Sequence, residues 1–291
     1  MWRDGKLTTI VLFLPPAVVL FTVFVIWPIL DAAHLSFFKW SGYGAVTNFV
    51  GVKNYSVLVA NPIFHQSLLN SIKLILASIF LQIPLALALA LLIYRKTSVN
   101  TAFRLIFFAP YILAEIATGL IWSFVFDGDY GITAQATAAL GTDPIYVLAD
   151  KHFAFLAIIT VIVWKYFGYH MMIFIAALQA VSTDLLEAAE IDGARTWQTI
   201  IYVKLPLIMH AVKLSIFFAI VGALQVFDII IPMTNGGPSN STHSIVSYLY
   251  TFGLAQLNVG YGSAVGVVLF VLCITSAFSY KRLVMDGRAR R

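Results

Sequence analysis

The stretch "VSTDLLEAAEIDGARTWQTIIYVKLPLI", residues 181–208, interrupts an otherwise apolar chain with charge, a glycine and a late proline. Ser182, Thr183 and Asp184 are residue types that accept hydrogen bonds from the first free N–H groups of a helix, and Asp184 and Glu187 stand at a capping spacing. A short helix is expected to begin here. Leu185, Leu186 and Ala189 would make a small apolar patch on it, with Glu187 and Glu190 close together. Asp192 and Gly193 then supply a stop, because glycine accepts the left-handed backbone common just past a helix end. A second short helix, from 194 to about 203, should leave at an angle, and Pro206 suits the first turn of the helix after it. The pair is too polar to cross a bilayer. It could dock on a protein or rest on lipid headgroups. Two glutamates and two aspartates against one arginine and one lysine would be repelled by an anionic leaflet, which favours the protein.

Outside this stretch the chain is a membrane protein by composition. Of its 291 residues 60% are hydrophobic and 11% charged, whereas soluble domains carry about 25% charged residues. Crossing the hydrocarbon takes roughly 20 apolar residues, and about six stretches qualify, near 10–30, 68–94, 103–126, 153–180, 205–232 and 261–280. The expectation is an all-α, polytopic helical bundle forming one transmembrane domain over residues 1–291, with a core of about 68–285. The first run is longer than the usual apolar region of a signal peptide and reads as a retained span. The lone Cys273 sits in the last run as a packing residue.

The net charge of +5 reflects basic residues clustered beside the apolar runs, which bears on topology and not on nucleic acid. Arg95, Lys96, Arg104, Arg195 and Lys204 fall in one set of loops, and Arg3, Lys6, Lys281, Arg282, Arg288, Arg290 and Arg291 at the two ends. The opposite loops hold only Lys39, Lys53 and Lys151. By the positive-inside rule both termini and residues 183–206 are cytoplasmic, and 235–260 lies outside. "GSAVG", residues 262–266, sets two glycines four apart, which permits close helix contact.

Ionisable and aromatic side chains inside spans are candidate solute contacts. Lys165, Tyr166, Tyr169 and His170 lie along the fourth span, and Gln225 and Asp228 in the fifth. Aromatic faces and hydrogen-bonding groups suit a sugar, although Lys165 and Asp228 could equally form a structural pair. Glu115 is buried in the third span by hydropathy or belongs to a kinked, wetter segment after Pro110, and reads as a proton-coupling group or a buried, partnered carboxylate. No HExxH, GxSxG or GxxxxGK[ST] pattern occurs, so no catalytic residue, metal site or ATP site is expected in this chain.

Glu187-Ala188-Ala189, Asp192-Gly193-Ala194 and Leu205-Pro206, at this spacing, closely resemble the EAA motif of permease subunits of bacterial binding-protein-dependent ABC importers. "FVGVKNY" (49–55) and "TNGGPSNSTHSIVSYLY" (234–250) resemble the carbohydrate branch, similar to maltose and glycerol-3-phosphate permeases. The resemblance implies a type I importer fold in the bacterial inner membrane, surrounded by lipid. It implies a second permease subunit as heterodimeric partner, an ATPase dimer that binds ATP and Mg, a periplasmic or lipoprotein solute-binding protein, and a carbohydrate-like substrate. Glu187, Ala188, Ala189, Asp192, Gly193 and Ala194 would then form the contact with the ATPase. An ion-coupled secondary transporter, with Glu115 and Asp228 as ion sites, is the rival reading.

Overall fold

The computed structural model describes residues 2–285, with side chains from Thr9 onward; Arg288, Arg290 and Arg291 lie outside the described residues, as do the side chains of Arg3 and Lys6. In chain order, α1 covers 2–35 and includes the apolar stretch Thr9–Leu35, α2 is Lys53–Ala60, α3 Pro62–Ile93, α4 Ser98–Ile112, α5 Glu115–Val125 and α6 Ile132–Leu140. Then come α7 Lys151–Gln179, α8 Thr183–Ile191, α9 Thr196–Leu207, α10 Met209–Leu224, α11 Ile230–Thr234, α12 Ile245–Leu254 and α13 Val259–Met285. Among the described residues there is no strand, only a single antiparallel bridge between Phe38 and Phe49.

Four helices, α1, α3, α7 and α13, are long and apolar enough to cross a membrane unbroken. Two further spans are bent pairs: α4 and α5 meet at 97°, α9 and α10 at 67°, which gives up to six. The third expected span is therefore two helices, with Leu113 and Ala114 extended between them. The fifth stops at Leu224, so Gln225 and Asp228 lie in a non-helical passage and not inside a spanning helix. There the hydroxyl of Ser244 donates to the Val226 carbonyl at 2.5 Å, supplying a donor that a continued helix would have provided. Pro206 falls within α9, and the bend follows at Ile208.

Several helices contain one wide turn closed by i→i+5 bonds, and three of these, Thr22–Ile26, Ser78–Gln82 and Thr199–Lys204, end two residues before Pro28, Pro84 and Pro206. Proline has no N–H for the carbonyl four residues back and its ring crowds that carbonyl. A wide turn immediately upstream shifts the bonding register and lets the helix continue.

The chain divides into two compact units, Met1–Phe64 with Tyr248–Val271, and His65–Ser247 with Leu272–Arg291. In the first, the stretch Thr9–Leu35 of α1 carries an apolar window of which none is buried, the pattern of a helix solvated by lipid. Asn54 Nδ2 donates to the carbonyls of Ser36 and Phe38, which fixes the chain leaving α1. Where α12 approaches α13, a Cβ on Gly262 would lie 2.9 Å from the Gly253 Cα, so the expected close contact does occur at the first glycine of "GSAVG". At Gly266 the same test meets only ordinary contact with Leu249 at 3.5 Å.

The second unit is organised on α7, of whose apolar window 56% is buried, against 33% for α3. Ile158, Val161 and Ile162 pack with Leu74 of α3 and Ile229, Ile230 and Met233 of the α11 region. One turn group further along, Phe167, Met171 and Phe174 pack on Ile83, Ala86 and Ala90. Asp150 caps α7 by accepting from the backbone of His152 and Phe153, and those bonds hold its carboxyl below its usual pKa. The loop 235–247 is pinned to α3 by Asn70, which is 1% exposed and donates to the carbonyls of Ser241 (2.7 Å) and His243 (3.0 Å). Burial lowers the pKa of His243 to about 4, so the imidazole is neutral at physiological pH. Replacing Asn70 with Leu strands two carbonyls and should destabilise the fold by about 1–3 kcal/mol. Thermal unfolding of the detergent-solubilised protein would show this as a lower transition, and an unchanged transition would contradict the pinning.

Candidate functional site

Two features carry chemistry in the second unit. The first is the polar passage between α7 and α10. Ser182 caps α8 through its hydroxyl, which accepts from Asp184 N–H at 3.2 Å. At the other end Gly193 has φ +77°, its N–H bonds to the Glu190 carbonyl and the Ala194 N–H reaches back to Ala189. This is the paired reverse bonding that ends a helix at a left-handed residue, and a β-branched side chain is strained there. The second helix begins at Thr196, not at Ala194, because the Gly193 turn uses Ala194 and Arg195 N–H is taken by Gln198 Oε1 at 2.7 Å.

No residue of α8 is buried, and Leu185 and Ile191 are 49% and 86% exposed. Glu187, Ala188 and Asp192 are exposed, while Ala189 and Ala194 are half-buried toward α9. The element is tied back to the bundle by Lys204, whose ammonium donates to the Tyr94 hydroxyl at 2.8 Å and sits 4.6 Å from that ring's centre. The same end of α3 receives Arg104, which donates to the Ile93 and Arg95 carbonyls, and Gln179, which donates to Tyr94 O. Side chains from α4, α7 and α9 thus close the carbonyl end of α3.

The second feature is a cavity of about 400 Å³ bounded by α3, α7, α10 and the two broken passages. Tyr166, Tyr169, His170, Gln225 and Asp228 all line it, so five of the six expected solute contacts come together. Tyr169 stacks on Tyr111 with ring centres 4.9 Å apart, and Phe218 extends the aromatic wall. Glu115, the first residue of α5, accepts from the Tyr166 hydroxyl, and the Asp228 carboxyl lies beside it. His170 is buried with Nδ1 against Ser215 Oγ.

Lys165 is the exception. It is 1% exposed and does not line this cavity; its ammonium donates to the Leu113 carbonyl at 2.5 Å and approaches Pro110 O at 3.4 Å. Where α4 ends, the Pro110 carbonyl keeps one backbone donor, the Leu113 N–H at 3.3 Å, while the Leu113 carbonyl is met by Lys165. A cation there opposes the negative end of the α4 dipole, and Glu115 occupies the positive end of α5. Tyr111, Gln82 and Phe218 were not among the expected residues. A glutamine in an apolar run was the one available signal, since Tyr111 and Phe218 look like ordinary spanning residues. Lys165→Met should leave the Leu113 carbonyl unmet and cost about 1–3 kcal/mol, lowering thermal stability together with uptake, while Lys165→Arg keeps the donors and most of both. A Lys165→Met protein as stable as the parent would remove the clamp.

Residues 82–286 match the family described as binding-protein-dependent transport system inner membrane component. The sulfoquinovosyl glycerol transport system permease SmoG of Agrobacterium fabrum is 32% identical, over 95% of this chain and 91% of its own. A probable ABC transporter permease of Pyrococcus horikoshii is 31% identical over the full length of both. The multiple sugar-binding transport system permease MsmF of Streptococcus mutans is 32% identical over 89% of each. A permease chain in the crystal structure of a bacterial alginate ABC transporter, in complex with an alginate pentasaccharide-bound periplasmic protein, shares the fold with TM-score 0.85 at 21% identity, covering 100% of this chain and 98% of that one. The chain belongs to the inner membrane components of binding-protein-dependent transport systems and is a multi-pass transmembrane subunit of such an importer.

Proposed function

We propose that this chain forms half of the translocation pathway for a sugar or sugar-like solute, beside a second permease subunit, and that α8 docks on an ATPase dimer which binds ATP and Mg. The observation that carries the coupling role is the bare α8: a well-capped helix with exposed Leu185 and Ile191, set off from the bundle by the Gly193 turn. Such a helix offers apolar contact to a groove and little reason to exist alone. Relatives named for sulfoquinovosyl glycerol, multiple sugars and lactose support the carbohydrate class. An external binding protein would deliver the solute, and the positive-inside distribution would put α8 and both termini in the cytoplasm. Import then requires two global states that ATP and the loaded binding protein stabilise differently. The cavity brings Glu115 and Asp228 together, as an ion-coupled carrier would need, but membership of a binding-protein-dependent family argues against that drive.

Affinity purification through a C-terminal tag, with mass spectrometry, should yield a stoichiometric ATPase carrying nucleotide-binding motifs and a second permease. A chain that purifies alone and transports under an ion gradient would overturn the proposal. Gly193→Val should leave the protein in the membrane yet abolish solute-stimulated ATP hydrolysis, because the turn's φ excludes a branched side chain; normal stimulated turnover would refute the coupling role.

A further inference from the structure

We infer that the half-cavity of this chain selects a solute rich in hydrogen-bond donors and lacking acidic groups: a neutral polyhydroxylated or amino-bearing sugar, and not a uronate, sulfonate or phosphate ester. The inference rests on the translocation role proposed above and narrows its substrate class.

Three observations lead to it. Gln82 lines the cavity at 2% exposure, and its Oε1 has no hydrogen-bond partner among the described residues. A buried amide oxygen is a standing demand for a donor, and here the space in front of it is the cavity. Glu115 and Asp228, the only acidic groups among the described residues of the wall, add carboxyl oxygens as acceptors. Two strong donors nearby are already used, the Tyr166 hydroxyl on Glu115 and the Lys165 ammonium on the Leu113 carbonyl, while His170 is held through Nδ1 by Ser215. The Tyr111 and Tyr169 hydroxyls and the Gln225 amide are neutral and can give or accept.

A sugar ring laid against Tyr169 and Phe218 would turn its hydroxyls to Gln82, Glu115 and Asp228, each bond running from solute to protein. An acidic solute would bring further negative charge beside the Glu115–Asp228 carboxyl pair, where it is repelled more than in bulk water. A volume of about 400 Å³ is of the size that holds a small saccharide.

The test reads the cavity's charge without needing the solute. A Cβ at Gly222, on the cavity wall, meets nothing within 4 Å. In the assembled importer, Gly222→Cys in a Cys273→Ser background is treated with a trimethylammonium-bearing, a sulfonate-bearing and an uncharged methanethiosulfonate. Each rate is divided by that on a free small thiol. The cationic reagent should lead the anionic one by on the order of 10-fold, the enrichment expected of a cleft lined by one sign of charge. Asp228→Asn and Glu115→Gln should each shrink that lead. Ala223→Cys serves as a second reporter on the same wall should Gly222→Cys fail to assemble.

Equal or faster reaction of the sulfonate reagent would overturn the inference. So would a cationic preference untouched by both carboxylate substitutions, or a site that even the uncharged reagent cannot reach. These rates do not depend on ATP or on a binding protein, so an importer that fails to transport yet shows the preference would refute the proposed function alone.

Discussion

No backbone carbonyl can be left bare inside hydrocarbon, where water is not there to meet it. The break between α4 and α5 leaves such a carbonyl at Leu113, and the ammonium of Lys165 meets it from the middle of α7, adding a second, longer contact to Pro110 O. Much else in the second unit depends on that contact. It allows a 97° change of direction within a span, which brings Glu115 to the start of α5 and so to the cavity. It also explains why α7 is the most buried helix. Lys165 must be reached by α4 from one side while Ile158 and Phe174, on either side of it in sequence, hold the apolar packing.

A second closure operates at the carbonyl end of α3. Arg104, Gln179 and Lys204 come from three different helices and converge on residues 93–95. The polar element of α8 and α9 is thereby joined to the bundle through charge-assisted bonds and a ring contact, beside the apolar packing of Leu205 and Ile208. In the proposed coupling role, a push on α8 would pass along α9 to Lys204 and to Tyr94, and along the bend at Ile208 to α10, whose far end borders the cavity.

Much of this was legible from residues alone. Hydropathy located all six apolar regions, and Ser182 and Gly193 announced the start and stop of α8, because capping is a local transaction between neighbours. Tyr166, Tyr169, His170, Gln225 and Asp228 were legible as polar or aromatic groups in apolar surroundings. Lys165 was legible as exceptional, with solute contact and a structural pair both open, but its partners, carbonyls 52 and 55 residues away, were not. A kink after Pro110 was legible, but its full extent at Leu113 was not: neither Leu113 nor Ala114 disfavours a helix, and the group that meets the Leu113 carbonyl lies on α7. Beyond the early end of α10 the Val226 carbonyl is met by Ser244, again distant in sequence.

The wide turns that precede Pro28, Pro84 and Pro206 each hold one residue more than a regular turn would. In α3 that surplus lies at Ser78–Gln82, so the helix beyond it is rotated relative to the helix before it by about 100°, one residue's share of a turn. The two halves of α3 can therefore address different neighbours: Leu74 joins the cluster around Ile158, whereas Ile83, Ala86 and Ala90 join that around Phe174. Chain length here is itself a steering variable. Losing a single residue from the turn would leave composition and hydropathy almost unaltered, yet would swing Ala86 and Ala90 off α7 and expose bulkier leucines to it, a change of partner without any change of chemistry.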